Sequence, residues 1–567
     1  AILVASMALA TLGFAGSADA QQCATPNLVV SADVTANTTW SGCVVLQNVI
    51  FVRNGATLTI LPGTIVRGQP RTGPVVAGQT AGSPGALVVT QTGRIVANGS
   101  AASPIIFTTA AIDNNGDGNA DVAGNGFEAP WTAGALFLDN FPATAPLAPL
   151  QKDGVNDTTG LWGGLIILGN APTNNANKSG VGYGKTIVEG LTVPGFPAAN
   201  ATYGGVLPHD NSGILNYVSI RHAGDEIGNG NELNGLTLGG IGDGTTISNI
   251  EVYANFDDGV EWFGGTVNGR NLAVFYVGDD SIDVDEGYTG LNQFVVTIQT
   301  FFARNDGSTY GSRSGDKIGE MDGDNYRPDN AALNDNVNIR LDVTQSVVDT
   351  TPWPLSNTNF YNWTAIGSAL QASRDFTPAA LPAGTKPGIQ FRNGFAGNVF
   401  NSIILNTGSQ PGITLSTSTT EGAPGFNAIE NANDGLISLV CSTLANGAAP
   451  AAGETTVINN GNALNLALGG NAGGANVVNS ASFPGLTNSD VSFNPTGNAT
   501  GKLAASLKSS PINPRPNAGL TGVAGCVAPR GPGLDASATY RGAFARTAPN
   551  LWTTGWTTLN RAGLLAN

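Results

Sequence analysis

Seven carboxylates fall between residues 257 and 285: Asp257, Asp258, Glu261, Asp279, Asp280, Asp283 and Asp285. Their spacing repeats. Asp258-Gly-Val-Glu-Trp-Phe-Gly264 lies over Asp280-Ser-Ile-Asp-Val-Asp-Glu286 at an offset of 22 residues, which puts Asp258 over Asp280 and Glu261 over Asp283. If each copy is one coil of a stack, neighbouring rungs are about 4.8 Å apart. Two ionised carboxylates at that distance repel by roughly 3–4 kcal/mol at an effective dielectric near 20. Such a ladder is stable when a cation sits among the acids, when some stay protonated, or when they splay into water. Hard oxygen ligands on a semi-rigid wall suit Ca2+, so Asp257, Asp258, Asp279, Asp280, Asp283 and Asp285 are candidate metal ligands. The plainer reading has Asp-Asp and Asp-Gly as turn formers, with Glu261 facing solvent. Two chemistries are open to the same wall. A base beside it, drawn from Arg392, Lys317 and His222, would abstract a proton; alternatively, Glu261 and Asp283 would be the carboxylate pair of a glycoside hydrolase. Glu261, Asp283 and Arg392 are therefore the candidate catalytic residues.

Two further groups invite a ligand. Asp113-Asn-Asn-Gly-Asp-Gly-Asn-Ala-Asp121 places oxygen donors from Asp113, Asn115 and Asp117 at positions 1, 3 and 5 of a calcium loop, with Gly118 at 6 and Asp121 at 9. Gly124 stands where the usual acidic residue at position 12 would be, so the motif is partial and a polar turn competes with it. Arg221, Tyr253 and Phe275 form an outward column by the same repeat alignment. Stacked rings on a flat β face bind sugars through their apolar faces, or simply stabilise the sheet. His222 and His209 have no cysteine or histidine partner at metal spacing and read as surface or turn residues.

The elements that must position these residues follow from the period. Asn234-Gly-Leu-Thr-Leu-Gly-Gly240 precedes the Asp258 copy by 24 residues, and Asn249-Ile-Glu-Val-Tyr253 falls 22 before Asn271-Leu-Ala-Val-Phe275. A fixed period in the twenties marks a solenoid whose coils share a core. Within the copies, Leu236/Leu238, Val260/Trp262 and Ile282/Val284 point in, while Thr237, Glu261, Asp283 and Asp285 point out. Two short strands and their turns leave no room for a helix, which predicts an all-β parallel β-helix. Ile318-Gly-Glu-Met-Asp-Gly-Asp324 reads as a further rung, with Glu320 under Asp283 and Asp322 under Asp285. Gly388-Ile-Gln-Phe-Arg392 reads as another, with Gln390 and Arg392 outward.

A chain of 567 residues with 78 glycines reaches its length as one elongated body. Its net charge of −16 argues against nucleic acid as a partner, since phosphates would be repelled; cations and neutral glycans fit better. Residues 1–20 read as a signal peptide, with an apolar run and an Ala18-Asp19-Ala20 cleavage site. No later apolar run is long enough to span a membrane. Four cysteines in an exported chain favour two disulfides, with local pairing Cys23–Cys43 and Cys441–Cys526 expected to staple the two ends. The expected order is an N-terminal cap at 21–50 and a β-helix at 51–440, interrupted by insertions at about 110–159 and 349–386. Irregular coils and a C-terminal cap over the last coil complete it at 441–567.

Leu58-Thr-Ile-Leu-Pro-Gly-Thr64, Gly85-Ala-Leu-Val-Val89, Trp162-Gly-Gly-Leu-Ile-Ile167, Asp258-Gly-Val-Glu-Trp262 and Trp552…Gly555-Trp556 resemble a family of secreted bacterial proteins of the pectin-lyase-like superfamily. The resemblance implies a right-handed parallel β-helix and export, and carries over no catalytic residue. β-Helix polysaccharide lyases use an acidic wall of this kind, with calcium on a uronate carboxylate and an Arg or Lys taking the C5 proton. The sequence therefore predicts an extracellular, cell-surface or periplasmic binding or scaffold protein. It has an acidic, calcium-binding face and a polysaccharide or cell-surface glycan as partner; the alternative is a calcium-dependent polysaccharide lyase or glycoside hydrolase.

Overall fold

The computed structural model describes residues 23, 25–73, 82–116, 120–124, 127–139, 158–174, 185–188, 191, 198–228, 231–299, 317–323, 356–367, 388–405, 413–416, 428, 437–445, 454–456, 477–479, 512–515 and 528–567. The expected signal peptide, Asp117 and Cys526 lie outside the described residues.

The chain winds into a right-handed parallel β-helix. Its first face is a ten-stranded sheet. In order, the strands are Val49–Val52, Ala86–Val89, Gly164–Leu168, Leu236–Gly239, Val260–Phe263, Ile282–Asp285, Gly319–Asp322, Ile389–Arg392, Ile413–Ser416 and Glu454–Thr456. Each pairing is parallel except the last. The other two faces merge into one 17-stranded sheet, because the middle coils carry long strands that run through both: Gly213–Arg221, Thr246–Tyr253, Gly269–Phe275, Leu291–Ile298 and Asn359–Ile366. Each of these bends at one residue with positive φ, namely Tyr217, Asn249, Asn271, Phe294 and Asn362. Asparagine tolerates that left-handed conformation better than most residues. It also bonds along the stack: Asn271 Nδ2 donates to Asn249 Oδ1, Asn249 Nδ2 to Asn216 Oδ1, and Asn216 Nδ2 to Asn98 Oδ1, each at 2.9 Å.

Alternation decides the core. Leu236, Leu238, Val260, Trp262, Ile282 and Val284 are fully buried in one continuous cluster, each burial contributing about 1.5–3 kcal/mol for a Val, Leu or Ile side chain. Trp262 stacks on Tyr288 with ring centroids 5.2 Å apart. Cys23 and Cys43 form the expected disulfide. Cys441 is also disulfide-bonded. Among the described residues no helix is long and apolar enough to cross a membrane.

Three expectations change. The helix starts inside the expected cap, since Leu28–Val30 already pairs in parallel with Cys43–Leu46, and Thr38–Trp40 with Thr57–Ile60. Residues 359–366, expected within an insertion, are a full rung between Leu291–Ile298 and the strands at 398–405. Phe360 and Trp363 fill the core there because Asn362 turns the strand between them. Finally, the C-terminal segment runs along the flank of the coils instead of only closing the last one. Arg270 reaches the carbonyl of Gly533, Asn362 those of Ala538 and Tyr540, and Arg541 that of Ser442. Thr558 donates from its backbone N–H and hydroxyl to Glu251.

Candidate metal centre

The outward column of the first face changes character along the stack. In register it reads Phe51, Val88, Ile166, Thr237, Glu261, Asp283, Glu320, Gln390 and Thr414. The apolar half is covered: Phe51, Val88 and Ile166 pack with Val188, Leu191, Ala201 and Tyr203. The acids begin where that cover ends. A second outward column continues them with Phe263, Asp285, Asp322 and Arg392, adjacent to the first because side chains alternate along each strand.

The turn before each strand supplies a third column: Asn234, Asp258, Asp280 and Lys317. Here the acids have structural duties. Asp258 Oδ1 accepts the backbone N–H of Asp280 at 2.8 Å, and Asp280 Oδ1 accepts that of Lys317. Asn234 Nδ2 donates to Glu261 Oε2. Glycine follows Asp258 because a Cβ at Gly259 would lie 2.3 Å from Val274 Cγ1 and 2.6 Å from the Ser281 carbonyl oxygen.

The carboxylates converge into three overlapping triads: Asp257, Asp258 and Asp279; Asp258, Glu261 and Asp283; and Asp280, Asp283 and Glu320. Within each, one oxygen per residue lies within 4.8 Å of the others. Asp258, Glu261 and Asp280 are buried, and Asp257, Asp279, Asp283, Asp285 and Glu320 half-buried. Burial, then Asp257 and Asp279, push the Asp258 carboxyl well above the usual carboxylate range. Burial, then Glu261 and Asp258, do the same to Asp283. Asp280 is also raised well above that range, because burial outweighs Lys317. Burial opposes ionisation of Glu320 too, but Lys317 and Arg392 together overcome it and bring its pKa down to about 2. Lys317 Nζ lies 3.1 Å from Glu320 Oε2, Arg392 Nη1 bonds Glu320 Oε1, and Arg392 Nε lies 3.1 Å from Asp322 Oδ2. One end of the wall thus carries its own cations.

The middle triad is different. Asp283 Oδ1 is buried without a hydrogen-bond partner, and so is Asn234 Oδ1 beside Glu261. A buried acceptor left unmatched costs about 1–3 kcal/mol, and anionic oxygens crowded together raise that figure. The donor set is all oxygen, which fits a hard divalent cation such as Ca2+ held by Asp258, Glu261 and Asp283.

A family model described as a pectate-lyase-like β-helix domain matches residues 31–127 and 150–484. The chain belongs to this family. No curated protein and no solved structure matches it.

Elsewhere on this pectate-lyase-like helix the expected ligand groups fare differently. Arg221, Tyr253 and Phe275 do stack in register, but they are buried, which corrects the expected glycan-facing column. Phe275 packs with Phe544, Leu551 and Leu559 of the C-terminal segment. Arg221 Nε donates to Ser219 Oγ at 2.9 Å, and its Nη1 lies 3.5 Å from Asp139. His222 is likewise buried at the end of the third face, its Nδ1 2.6 Å from the Thr158 carbonyl, so it is no surface residue and no base for the first-face wall. His209 is exposed and pairs with Asp243 at 2.7 Å. In the 113–121 loop, Asp121 Oδ2 accepts the backbone N–H of Asn114, and Asn114 Oδ1 that of Leu136. Among the described residues the carboxylate triads all lie in the wall.

Sequence reasoning missed Asn234, although it heads the same repeat as Asp258 and Asp280. It also missed Tyr203, whose hydroxyl donates to the buried Glu286 at 2.7 Å. Nothing local in the sequence marks that contact, because 83 residues separate the two.

Proposed function

We propose that the chain is an exported binding or scaffold protein whose acidic wall holds a calcium ion and presents it to an anionic or hydroxyl-rich glycan. The observation that carries this reading is the middle triad, where Asp283 keeps a buried oxygen unmatched beside Asp258 and Glu261. The all-oxygen donor set favours Ca2+ over softer-ligand metals. A pectate-lyase-like family suggests an acidic polysaccharide as the glycan, its carboxylate completing the coordination. The test is calorimetric titration of Ca2+ into chelator-treated protein. Saturable binding that Asp283→Asn abolishes is expected; no heat, or equal binding by the variant, contradicts the reading.

One observation favours catalysis as a second reading: Arg392 stands beside the wall, held by Glu320 and Asp322. A bound ion would supply charge neutralisation for a uronate. Arg392 would first have to pass a proton to its carboxylate partners, and as a neutral guanidine would then receive the substrate proton, with Glu261 and Asp283 fixing the sugar. A panel of uronate polymers assayed for unsaturated product decides between the readings. Product lost in Arg392→Ala favours the lyase, and none from the wild-type chain removes it.

A further inference from the structure

Asp280 and Lys317 belong to successive coils and meet beside the triad that Asp280 shares with Asp283 and Glu320. Lys317 Nζ lies 3.3 Å from Asp280 Oδ2 and 3.1 Å from Glu320 Oε2. The backbone N–H of Lys317 donates to Asp280 Oδ1. One residue therefore clamps one oxygen of the carboxyl with its backbone and faces the other with its amine. The two side chains are only 10% and 4% exposed. A buried ion pair bears a desolvation penalty that its attraction does not reliably offset, whereas a neutral amide in the same place does not. The close pairs Arg53–Asp33, Arg71–Asp225 and Arg221–Asp139 use guanidinium groups, which stay protonated and are poor nucleophiles. Lys317 is a primary amine, and Glu320 on its other side holds it in place.

We propose that Lys317 and Asp280 condense into an isopeptide bond that staples two coils of the helix. The ammonium passes one proton to Asp280 Oδ2, 3.3 Å away, which frees the Nζ lone pair to attack Asp280 Cγ. The Nζ–Cγ bond forms, the Cγ–Oδ2 bond breaks, and Oδ2 departs as water with two of the three ammonium protons. The third proton stays on the amide nitrogen. Atoms and charge balance within the ion pair, with no oxidant, cofactor or nucleotide. The bond closes the 37-residue separation between the partners, so it limits the unfolded chain as a disulfide does. It leaves the carboxyl groups of Asp258, Glu261 and Asp283 unmodified, and a mass measurement reads it without any calcium-binding assay.

Intact-mass spectrometry of the purified full chain, with a tryptic map, tests it. The wild-type chain is expected to be lighter than its disulfide-corrected sequence by one water, and the map to contain a branched peptide joining Asp280 to Lys317. Lys317→Arg, which keeps the charge but removes the amine nucleophile, and Asp280→Ala, which removes the carbon attacked, are expected to restore the full mass. A wild-type chain of full mass with two separate linear peptides overturns the proposal. So does a missing water that persists in Lys317→Arg, since dehydration at Asp258-Gly259 would then explain it. The wild-type map decides the question even if a variant does not fold.

Discussion

Asp258 and Asp280 each cap the backbone of the coil that follows, whereas Asp283 has a buried oxygen with no partner. That difference separates acids that the fold needs from one that it tolerates. Asp283→Asn removes a charge from a crowded site, so in chelator the variant is expected to be more stable than the parent by about 1–3 kcal/mol, read by denaturant unfolding. In calcium at a hundredfold excess over its Kd the parent gains about 2.7 kcal/mol, and the variant gains little. A variant less stable than the parent in chelator would show that the carboxylate has a structural duty. The pH dependence has a definite sign. Asp258 and Asp283 have raised folded-state pKa values. Their contribution is therefore complete below the ordinary value of 3.8 and is lost as the pH rises through the raised values. Ion-free protein is expected to melt at progressively lower temperature as the solution is taken from acid to neutral, with a flatter profile in Asp283→Asn. Glu320 has the opposite sign: its contribution is lost only as the pH falls toward about 2. A melting temperature that climbs steadily from acid to neutral in chelator would contradict the assignment.

At the scale of the element, the repeat of the first face was legible because Asp258 and Asp280 head copies 22 residues apart and Glu261 lies over Asp283. The rung at 319–322 was legible despite Gly319 in an inward place, and the structure shows why glycine stands there. A Cβ would lie 2.7 Å from Trp363, whose ring fills the space. Trp363 reads from the sequence as part of an insertion, yet it lies in a full rung. Its rung pairs with residues 68 positions earlier, which no period in the twenties anticipates. The column Arg221, Tyr253 and Phe275 was placed in register but on the wrong side of burial. Alternation separates the inside of a coil from its outside, and says nothing of a segment nearly three hundred residues on that returns to cover it. Two experiments follow. Asn271→Val forces a β-branched side chain to φ 57° and breaks the asparagine ladder, so a loss of about 2–3 kcal/mol is expected, with Asn271→Gly milder; equal stabilities would leave the ladder without energetic weight. Deleting residues 528–567 is expected to uncover Tyr253, Phe275 and Ile298, raise binding of a hydrophobic dye and lower the melting temperature. An unchanged melt without dye binding would mean that the flank stands by itself.

For the whole molecule, the fold class came from the period and the family model agrees with it across most of the chain. The net charge of −16 sets the kind of partner: a wall of this sign attracts cations first and anionic sugars only through them. Binding of an acidic polysaccharide is therefore expected to require calcium and to disappear in chelator, whereas direct binding without metal would point to another surface. The most direct measurement is diffraction from crystals soaked in a lanthanide that substitutes for calcium, read from the anomalous difference map. A peak bonded by oxygens of Asp258, Glu261 and Asp283 is expected. A map empty over the wall at saturating lanthanide, or a peak held by other residues alone, would contradict it.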